Sequence, residues 1–224
     1  MTLFVTGIGT GVGKTIVAAI VAEALHADYW KPIQAGFDNG TDSLLVQSLI
    51  TNIQTQVHAE AYKLKLAASP HIAARDEDKK IYADEIKLVH EEIIKKNAAR
   101  SNNYLHEYTL ICEGAGGIMV PVNDMEFVID LINPMRAKTI LVSRNYLGSI
   151  NHSLLTASAC KQYNLDVLGW LFNDLFMKYE EEIAAWTGYT RLGTIPFAKS
   201  ITREFVFKQA EKIRPALLKH LQRT

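Results

Sequence analysis

A lysine and a threonine at the end of a glycine-rich turn are the residues of this chain best suited to chemistry. Residues 7–15 read Gly-Ile-Gly-Thr-Gly-Val-Gly-Lys-Thr and follow a short apolar run at 3–6. Such a turn lets backbone N–H groups surround phosphate oxygens, while Lys14 adds a cation and the Thr15 hydroxyl can bind Mg²⁺. An ordinary tight turn would explain the glycines but not Lys14 followed by Thr15. The segment therefore predicts a nucleotide-phosphate site, with five residues rather than the common four between Gly7 and Gly13.

Two acidic residues are placed where they could hold a divalent cation beside this site. Glu113 ends the apolar run 108–113, and Asp42 begins a predicted helix. Because Mg²⁺ binds proteins through one or two carboxylates together with phosphate oxygens, Thr15, Asp42 and Glu113 are the predicted metal ligands. Two alternatives stay open at this point. Asp42 could be only the N-cap of its helix, and Glu113 could be a strand-end acid hydrogen-bonded to a neighbouring loop.

Lys31 is a second cation expected near the phosphate site. It follows Tyr29 and Trp30 in an apolar strand. A surface lysine whose aliphatic stem packs on apolar neighbours is the simplest alternative. Beside a phosphate loop, however, a second ammonium group suggests stabilisation of a transferred phosphoryl group or of an anionic acceptor. Lys14 and Lys31 are therefore the candidate catalytic residues, whereas His71 is expected to pack or to hydrogen-bond.

These groups come from distant parts of the chain, and the pattern of elements predicts that they meet. Apolar runs typical of strands buried on both faces alternate with amphipathic helical stretches. Strands are predicted at 3–6, 108–113, 138–143, 167–172 and 191–195, with a short one in 28–36 that ends at Pro32. Helices are predicted at 16–25, 43–50, 69–75, 82–99, 127–132, 149–163 and 202–221. A turn is predicted at 39–42, and 52–68 is ambiguous. The alternation predicts one doubly wound α/β domain, residues 1–224, with ligands bound outside the carboxyl ends of the strands.

The composition disfavours several classes of partner. Lys plus Arg and Asp plus Glu each number 24, so no net charge favours nucleic acid or an anionic membrane. No uninterrupted apolar stretch reaches about 18 residues, the length that would span a bilayer. No signal pattern precedes the first strand. Cys112 and Cys160 lack metal-ligand spacing, and Cys112 is expected to be a reduced core thiol. A soluble, cytoplasmic protein is the expectation.

Several sequence blocks, taken in order, resemble the dethiobiotin synthetase family of the biotin pathway. The most specific are Lys-Pro-Ile-Gln-Ala-Gly at 31–36 and Glu-Gly-Ala-Gly-Gly at 113–117, a pair that generic phosphate-loop ATPases lack. The other blocks lie at 5–15, 42, 69–71, 147–152, 169–174 and 193–196, so the resemblance covers nearly the whole chain. The five-residue spacer is itself a trait of this family. The resemblance implies a P-loop NTPase-like fold with a mainly parallel, seven-stranded sheet, and a homodimer.

The resemblance also implies a ligase that uses ATP as co-substrate and Mg²⁺ as cofactor. 7,8-Diaminononanoate reacts with CO₂ to give a carbamate, ATP phosphorylates the carbamate, and the second amine closes a cyclic urea with release of phosphate. By position, Lys14 and Lys31 would stabilise charge on the γ-phosphoryl group and the carbamate. The implied ATP-binding residues are Gly11, Val12, Gly13, Lys14, Thr15, Ile16, Asp42, Glu113, Gly114, Ala115 and Gly116 at the phosphate end, and Asn173, Asp174, Pro196, Phe197 and Ala198 at the adenine and ribose end.

The diamine-binding residues implied by the resemblance include two from a second chain. They are Lys31, Ala35, Gly116 and Gly117, together with Leu147 and Asn151 from the partner, so that the active site is shared across the dimer. The helix start at 147–151 offers free N–H groups to the substrate carboxylate. Ala35 stands where family members often carry Ser or Thr, so that contact would come from backbone or water. The stretch between Asp174 and Arg191 has no recognisable family counterpart, which leaves the base contacts open there.

A switch ATPase of the partitioning or metallochaperone kind is the alternative function. Such proteins usually carry a signature lysine at the start of the loop, where this chain has Gly9, and they have no need of the Lys31-Pro32 block. A GTPase is disfavoured because Asn173-Asp174 is not the Asn-Lys-X-Asp pattern that binds guanine. A dependence of ATP hydrolysis on the diamine and bicarbonate would distinguish the synthetase from the switch.

Overall fold

Strands and helices alternate along the chain in the computed structural model, which describes residues 1–38, 40–100, 104–174 and 176–222. Asn39, in the turn predicted at 39–42, lies outside the described residues. The strands are β1 (Thr2–Gly7), β2 (Asp28–Trp30), β3 (Ile33–Ala35), β4 (Val57–His58), β5 (Tyr62–Leu64), β6 (Leu110–Glu113), β7 (Lys138–Arg144), β8 (Val167–Asn173) and β9 (Arg191–Ile195). The helices are α1 (Lys14–Leu25), α2 (Asp42–Leu49), α3 (Pro70–Asp76), α4 (Ala83–Asn97), α5 (Ser149–Gln162), α6 (Glu180–Thr187) and α7 (Arg203–Leu221). Over the described ranges, no helix has both the length and the apolarity to cross a membrane.

A sheet of seven parallel strands forms the centre of the described chain, in the order β4-β2-β6-β1-β7-β8-β9. In the middle of the sheet, Val5 of β1 lies opposite Glu113 of β6 on one side and Ile140 of β7 on the other. The predicted doubly wound, seven-stranded sheet is confirmed. Since its strands are parallel, their carboxyl ends reach one edge, and the segments that follow β1, β2, β6 and β8 meet there.

Apolar side chains cover both faces of this sheet. Successive strand residues point to opposite faces, so Leu3 and Val5 join a cluster with α1 and α7, while Phe4 joins a second cluster with α4, α5 and α6. Full burial of one such side chain stabilises a fold by roughly 1.5–3 kcal/mol. Cys112 and Cys160 are free and buried in the second cluster, which confirms Cys112 as a core thiol.

The second predicted strand ends just before Pro32, as expected, and the residues after the proline form a further strand in a separate sheet. β2 ends at Trp30, and β3 pairs with β5 in a two-stranded parallel sheet of its own. Pro32 lies between them, and because proline has no N–H it cannot continue the β2 ladder. Its carbonyl instead accepts a hydrogen bond from the Tyr62 N–H at 2.9 Å, which begins the small sheet. Lys31 therefore lies at the point where the chain leaves the main sheet.

Two segments that the sequence leaves open contain regular elements, and one predicted helix has a different form. The ambiguous segment 52–68 contains β4 and β5, strands of two and three residues that are too short to show a period. The segment without a family counterpart contains α6. The helix predicted at 127–132 is a pair of 3₁₀ turns, Val128–Leu131 and Asn133–Met135, the second of which has Pro134 in its first turn.

Candidate active site

The phosphate loop connects β1 to α1, and its backbone conformation explains its glycines. Gly11 and Gly13 have φ values of 72° and 90°, in the left-handed region that side chains disfavour. A Cβ at Gly13 would also lie 2.4 Å from Nδ2 of Asn173, and this Nδ2 donates to the Val12 carbonyl at 2.5 Å. The end of β8 therefore holds the loop in place, and the first turn of α1, with its free N–H groups, lines a cavity.

Lys14 is buried at the start of α1 and folds back on the loop. Its Nζ donates to the Gly9 carbonyl at 2.8 Å. Burial, the largest cause, lowers the pKa of Lys14 to about 8, opposed by the charge of Glu113 and assisted by that of Lys31. Because a neighbouring negative charge favours the ammonium form, a bound polyphosphate would raise this pKa.

Lys31, Asp42, Glu113 and Thr15 meet at the carboxyl edge of the sheet. The Lys31 ammonium is hydrogen-bonded to Oδ2 of Asp42 and, at 3.0 Å, to Oε1 of Glu113. The Thr15 hydroxyl donates to the same Oε1 at 2.8 Å. Burial alone lowers the pKa of Lys31, but the two carboxylates outweigh it and raise the pKa above its ordinary value. Lys31 is 6% exposed, so the alternative of a surface lysine is wrong.

Asp42 is the first residue of α2 rather than its cap. The Thr41 hydroxyl accepts the hydrogen bond from the Leu44 N–H at 3.2 Å, which is the capping contact. The Asp42 N–H donates to Oε1 of Gln34 at 3.1 Å. The N-cap alternative for Asp42 is therefore wrong, and its carboxylate is left to pair with Lys31 at the cavity. At α3, Ser69 occupies the predicted N-cap position, but its side chain makes no capping hydrogen bond.

The oxygen atoms of Thr15, Asp42 and Glu113 fit Mg²⁺. A hydroxyl and two carboxylates are hard oxygen donors, and Oγ1 of Thr15 lies 2.8 Å from Oε1 of Glu113. Adjacent ligands of an octahedral Mg²⁺ with bonds of about 2.1 Å are separated by about 3 Å. Within the described ranges, no group of three His, Cys, Asp or Glu side chains forms a metal site by itself. This donor set therefore suits a cation whose remaining ligands are phosphate oxygens and water.

Two neighbouring cavities follow the phosphate loop. The larger, of about 740 Å³, contains the side chains of Lys14, Lys31, Asp42 and Glu113 in its wall. The smaller, of about 220 Å³, is lined by the predicted base-end residues Asn173, Asp174, Pro196, Phe197 and Ala198. Gly11, Gly13 and Ile16 border both cavities. A ligand with a polyphosphate and a base could therefore occupy the two cavities together.

The predicted substrate and phosphate residues are only partly brought to these cavities. Ala35, Ala115 and Gly116 line the larger one. The glycines at 114 and 117 are closely approached by other parts of the chain. A Cβ at Gly114 would lie 2.9 Å from the Phe4 ring, and a Cβ at Gly117 would lie 3.3 Å from Cα of Gly9. The close approach that these glycines suggest is therefore made by the chain's own core and loop.

Leu147 and Asn151 lie outside both cavities. Leu147 is 91% exposed, and Asn151 is exposed in the first turn of α5. Gly148 precedes this helix with a φ of 104°. The helix start belongs to the segment that follows β7, so it lies at the same edge of the sheet as the cavities, and the side chains of Leu147 and Asn151 are exposed there.

Three side chains with a place in the site are absent from the sequence prediction. The Tyr29 hydroxyl donates to Oε2 of Glu113 at 2.6 Å. The side chain of Gln34 accepts a hydrogen bond from the Asp42 N–H. In the smaller cavity, Nε of Arg144 donates to Oδ2 of Asp174 at 2.6 Å. Tyr29 could have been found from the alternation of the strand, because it lies two residues before Lys31 and therefore on the same face.

The family model described as an AAA domain matches residues 1–204. The chain is 44% identical over 211 residues to the ATP-dependent dethiobiotin synthetase BioD of Cytophaga hutchinsonii, covering 94% of this chain and 95% of that protein. It is 42% identical to the protein of the same name from Christiangramia forsetii, covering 96% of each.

Among solved structures, the MinD cell division protein of Aquifex aeolicus has a TM-score of 0.61 at 13% identity, covering 100% of this chain and 97% of that one. A ParA family ATPase from Chlorobium tepidum has a TM-score of 0.55 at 11% identity, covering 97% and 96%. At such identities these likenesses show the fold alone, which agrees with the predicted P-loop NTPase-like architecture.

Proposed function

The chain belongs to the ATP-dependent dethiobiotin synthetase family, and we propose that it makes dethiobiotin in the larger cavity at the carboxyl edge of its sheet. It is an ATP-dependent ligase of the biotin pathway. Similarity to the synthetases extends over nearly the whole length of both chains, whereas similarity to the partitioning-type ATPases is limited to the fold. The switch-ATPase alternative is therefore not favoured.

One observation carries the assignment of the reaction to this cavity. Two buried ammonium groups, those of Lys14 and Lys31, line it together with the hydroxyl and carboxylates that fit Mg²⁺. A phosphate-binding loop needs the first ammonium, but a second one is useful where another anion must be held against the transferred phosphoryl group. A carbamate is such an anion.

ATP would lie across both cavities. The N–H groups and positive dipole end of α1 would bind its phosphates, with Lys14 reaching the γ-phosphoryl group. Its adenine and ribose would occupy the smaller cavity beside Asn173, Asp174 and Pro196. Thr15, Asp42 and Glu113 would hold Mg²⁺, which when bound offsets the negative charge of the phosphates.

The reaction would proceed in three bond-forming steps. One amine of 7,8-diaminononanoate attacks CO₂, forming an N–C bond and releasing a proton. A carbamate oxygen then attacks the γ-phosphorus, the bond to the ADP oxygen breaks, and ADP leaves. The second amine attacks the carbamoyl carbon and loses a proton, and phosphate leaves as the cyclic urea closes. Lys31 would pair with the carbamate oxyanion through the remaining N–H of its ammonium group, because its contacts with Asp42 and Glu113 leave one donor free.

We also propose a homodimer in which the start of α5 from one chain completes the site of the other. The diamine carries its carboxylate far from its reacting amines, so the site needs an anion-binding group at some distance from Lys31. Leu147 and Asn151 are exposed and line neither cavity of their own chain. This position leaves them available to a second copy.

The purified chain is expected to hydrolyse ATP only when both the diamine and bicarbonate are present. The reason is that the phosphoryl acceptor is the carbamate, which forms only from these two substrates. Phosphate release and dethiobiotin, measured by mass spectrometry, should appear in equal amounts. Hydrolysis at the same rate without the diamine would instead indicate a switch ATPase.

Asp42→Asn and Glu113→Gln are each expected to raise the Mg²⁺ concentration required for half-maximal activity by at least about 10-fold. Each change removes one charge from a site whose protein ligands carry only two. Thr41→Ala is the matched control, because it removes the cap of the same helix at a cost of about 1 kcal/mol and leaves both carboxylates in place. A lower melting temperature with unchanged Mg²⁺ dependence in Asp42→Asn would make Asp42 a purely structural residue.

A further inference from the structure

We propose that Tyr29 is a positioning residue that fixes the orientation of the Glu113 carboxylate toward the cation site. Its hydroxyl donates to Oε2 of Glu113 at 2.6 Å. The other oxygen, Oε1, accepts from Thr15 and Lys31. One carboxylate oxygen therefore contacts the buried tyrosine, and the other contacts the two side chains that line the cavity. The inference rests on the proposed function, because it assigns Tyr29 a role toward the Mg²⁺ of that reaction.

The sheet register places Tyr29 where it can act in this way. Tyr29 of β2 lies opposite Ile111 of β6, and Glu113 follows two residues later on the same face. The tyrosine ring therefore reaches diagonally toward the carboxyl edge, a separation that long and aromatic side chains can span. Glu113 is among the residues that line the larger cavity, whereas Tyr29 is not.

Tyr29 and Glu113 are both buried, which restricts the motion of their side chains. Tyr29 is fully buried among side chains of the cluster that includes α1, and Glu113 is 1% exposed. Because an ionised carboxylate can only accept hydrogen bonds, the Tyr29 hydroxyl is the donor in this contact. Water cannot easily replace this donor, because the Tyr29 ring is fully buried.

Such outer partners fix the orientation of a metal ligand, and their loss typically weakens metal binding by about 10–100-fold. A purely structural tyrosine would affect stability but not the preference for metal. The Mn²⁺ affinity of the nucleotide site therefore distinguishes the two roles, and it can be measured without turnover.

The test is a titration of Tyr29→Phe with Mn²⁺ and a non-hydrolysable ATP analogue, followed by the electron paramagnetic resonance signal of Mn²⁺. The dissociation constant of the Mn²⁺–nucleotide complex is expected to rise by about 10-fold or more, while that of the metal-free analogue changes little. Tyr108→Phe is the matched control, since its hydroxyl also donates to a buried carboxylate, Oδ2 of Asp28 at 3.0 Å, at the other end of β2. It should leave Mn²⁺ binding unchanged.

A double-mutant cycle shows whether Tyr29 acts through Glu113. In the Glu113→Gln background, Tyr29→Phe should cause no further loss of Mn²⁺ affinity, because the group that it orients is already altered. Tyr29→Phe removes only the hydroxyl and keeps the buried ring, so the single variant that the cycle requires should fold. Unchanged Mn²⁺ affinity in Tyr29→Phe, or a further loss in the double variant, would overturn the proposal. A wild-type protein that binds the analogue equally with and without Mn²⁺ would instead contradict the proposed metal site.

Discussion

Lys31→Gln is expected to lower kcat by about 10²-fold or more while ATP binding remains largely intact. The reason is that a buried ammonium group placed against a developing charge is worth far more than one in water, and glutamine cannot supply that charge. In the proposed binding mode, ATP contacts the loop, Lys14 and the smaller cavity, and Lys31 is not its main cation. Single-turnover formation of dethiobiotin, with ATP affinity measured separately, checks both parts of the expectation.

The position of Lys31 between two carboxylates makes a counter-ion role the competing explanation. In that case Lys31→Gln would mainly lower the melting temperature, because Asp42 and Glu113 would repel each other, and saturating Mg²⁺ would restore product formation. Turnover should therefore be measured at saturating Mg²⁺. Lys63→Gln is a suitable control, since Lys63 is an exposed lysine of the adjoining small sheet. Near-normal kcat in Lys31→Gln under these conditions would leave Lys31 with only the counter-ion role.

That the charged residues lie together at the carboxyl edge of the sheet can be predicted, because the sequence patterns that indicate it are short and local. Lys14 and Thr15 are consecutive, and Lys31 and Glu113 each lie at the end of an apolar run. Parallel strands bring their carboxyl ends to one edge whatever the strand order. The structure indeed places Nζ of Lys31 3.0 Å from Oε1 of Glu113.

The contacts within the site are less predictable because they depend on register and packing. Tyr29 reaches Glu113 only because β2 and β6 pair with Tyr29 opposite Ile111, and a shift by one residue would turn the tyrosine to the other face. Similarly, the sequence at 113–117 indicates a close approach to the backbone but not that Phe4 and Gly9 make it.

The N-terminal boundary of α2 cannot be predicted from local residue preferences. Thr41 and Asp42 are both good N-cap residues, so the sequence alone allows either to begin the helix. Contacts from outside the helix determine which residue is the cap, because Lys31 is hydrogen-bonded to the Asp42 carboxylate and Gln34 accepts from the Asp42 N–H. Thr41 is then left to cap the helix.

The second large effect is expected when two impaired variants are mixed at a diamine concentration so low that each variant alone is nearly inactive. Lys14→Ala removes the loop cation and should lower activity by at least about 10²-fold. Asn151→Asp would place a negative charge against the carboxylate of the diamine, so it should raise the KM for the diamine and spare ATP binding. Because Asn151 is exposed at the start of α5, this change should not affect folding of the single chain.

In a mixed dimer, one site would combine the intact Lys14 of one chain with the intact Asn151 of the other. Random exchange makes about half of the dimers mixed, each with one good site of two, so mixing equal amounts should restore about one quarter of the wild-type activity. Lys14→Ala mixed with Lys31→Gln is the matched control. Both residues line the same cavity of one chain, so no mixed dimer would contain a complete site and activity should stay absent. If subunit exchange is confirmed by mass spectrometry and the first mixture also remains inactive, each site is built from one chain alone.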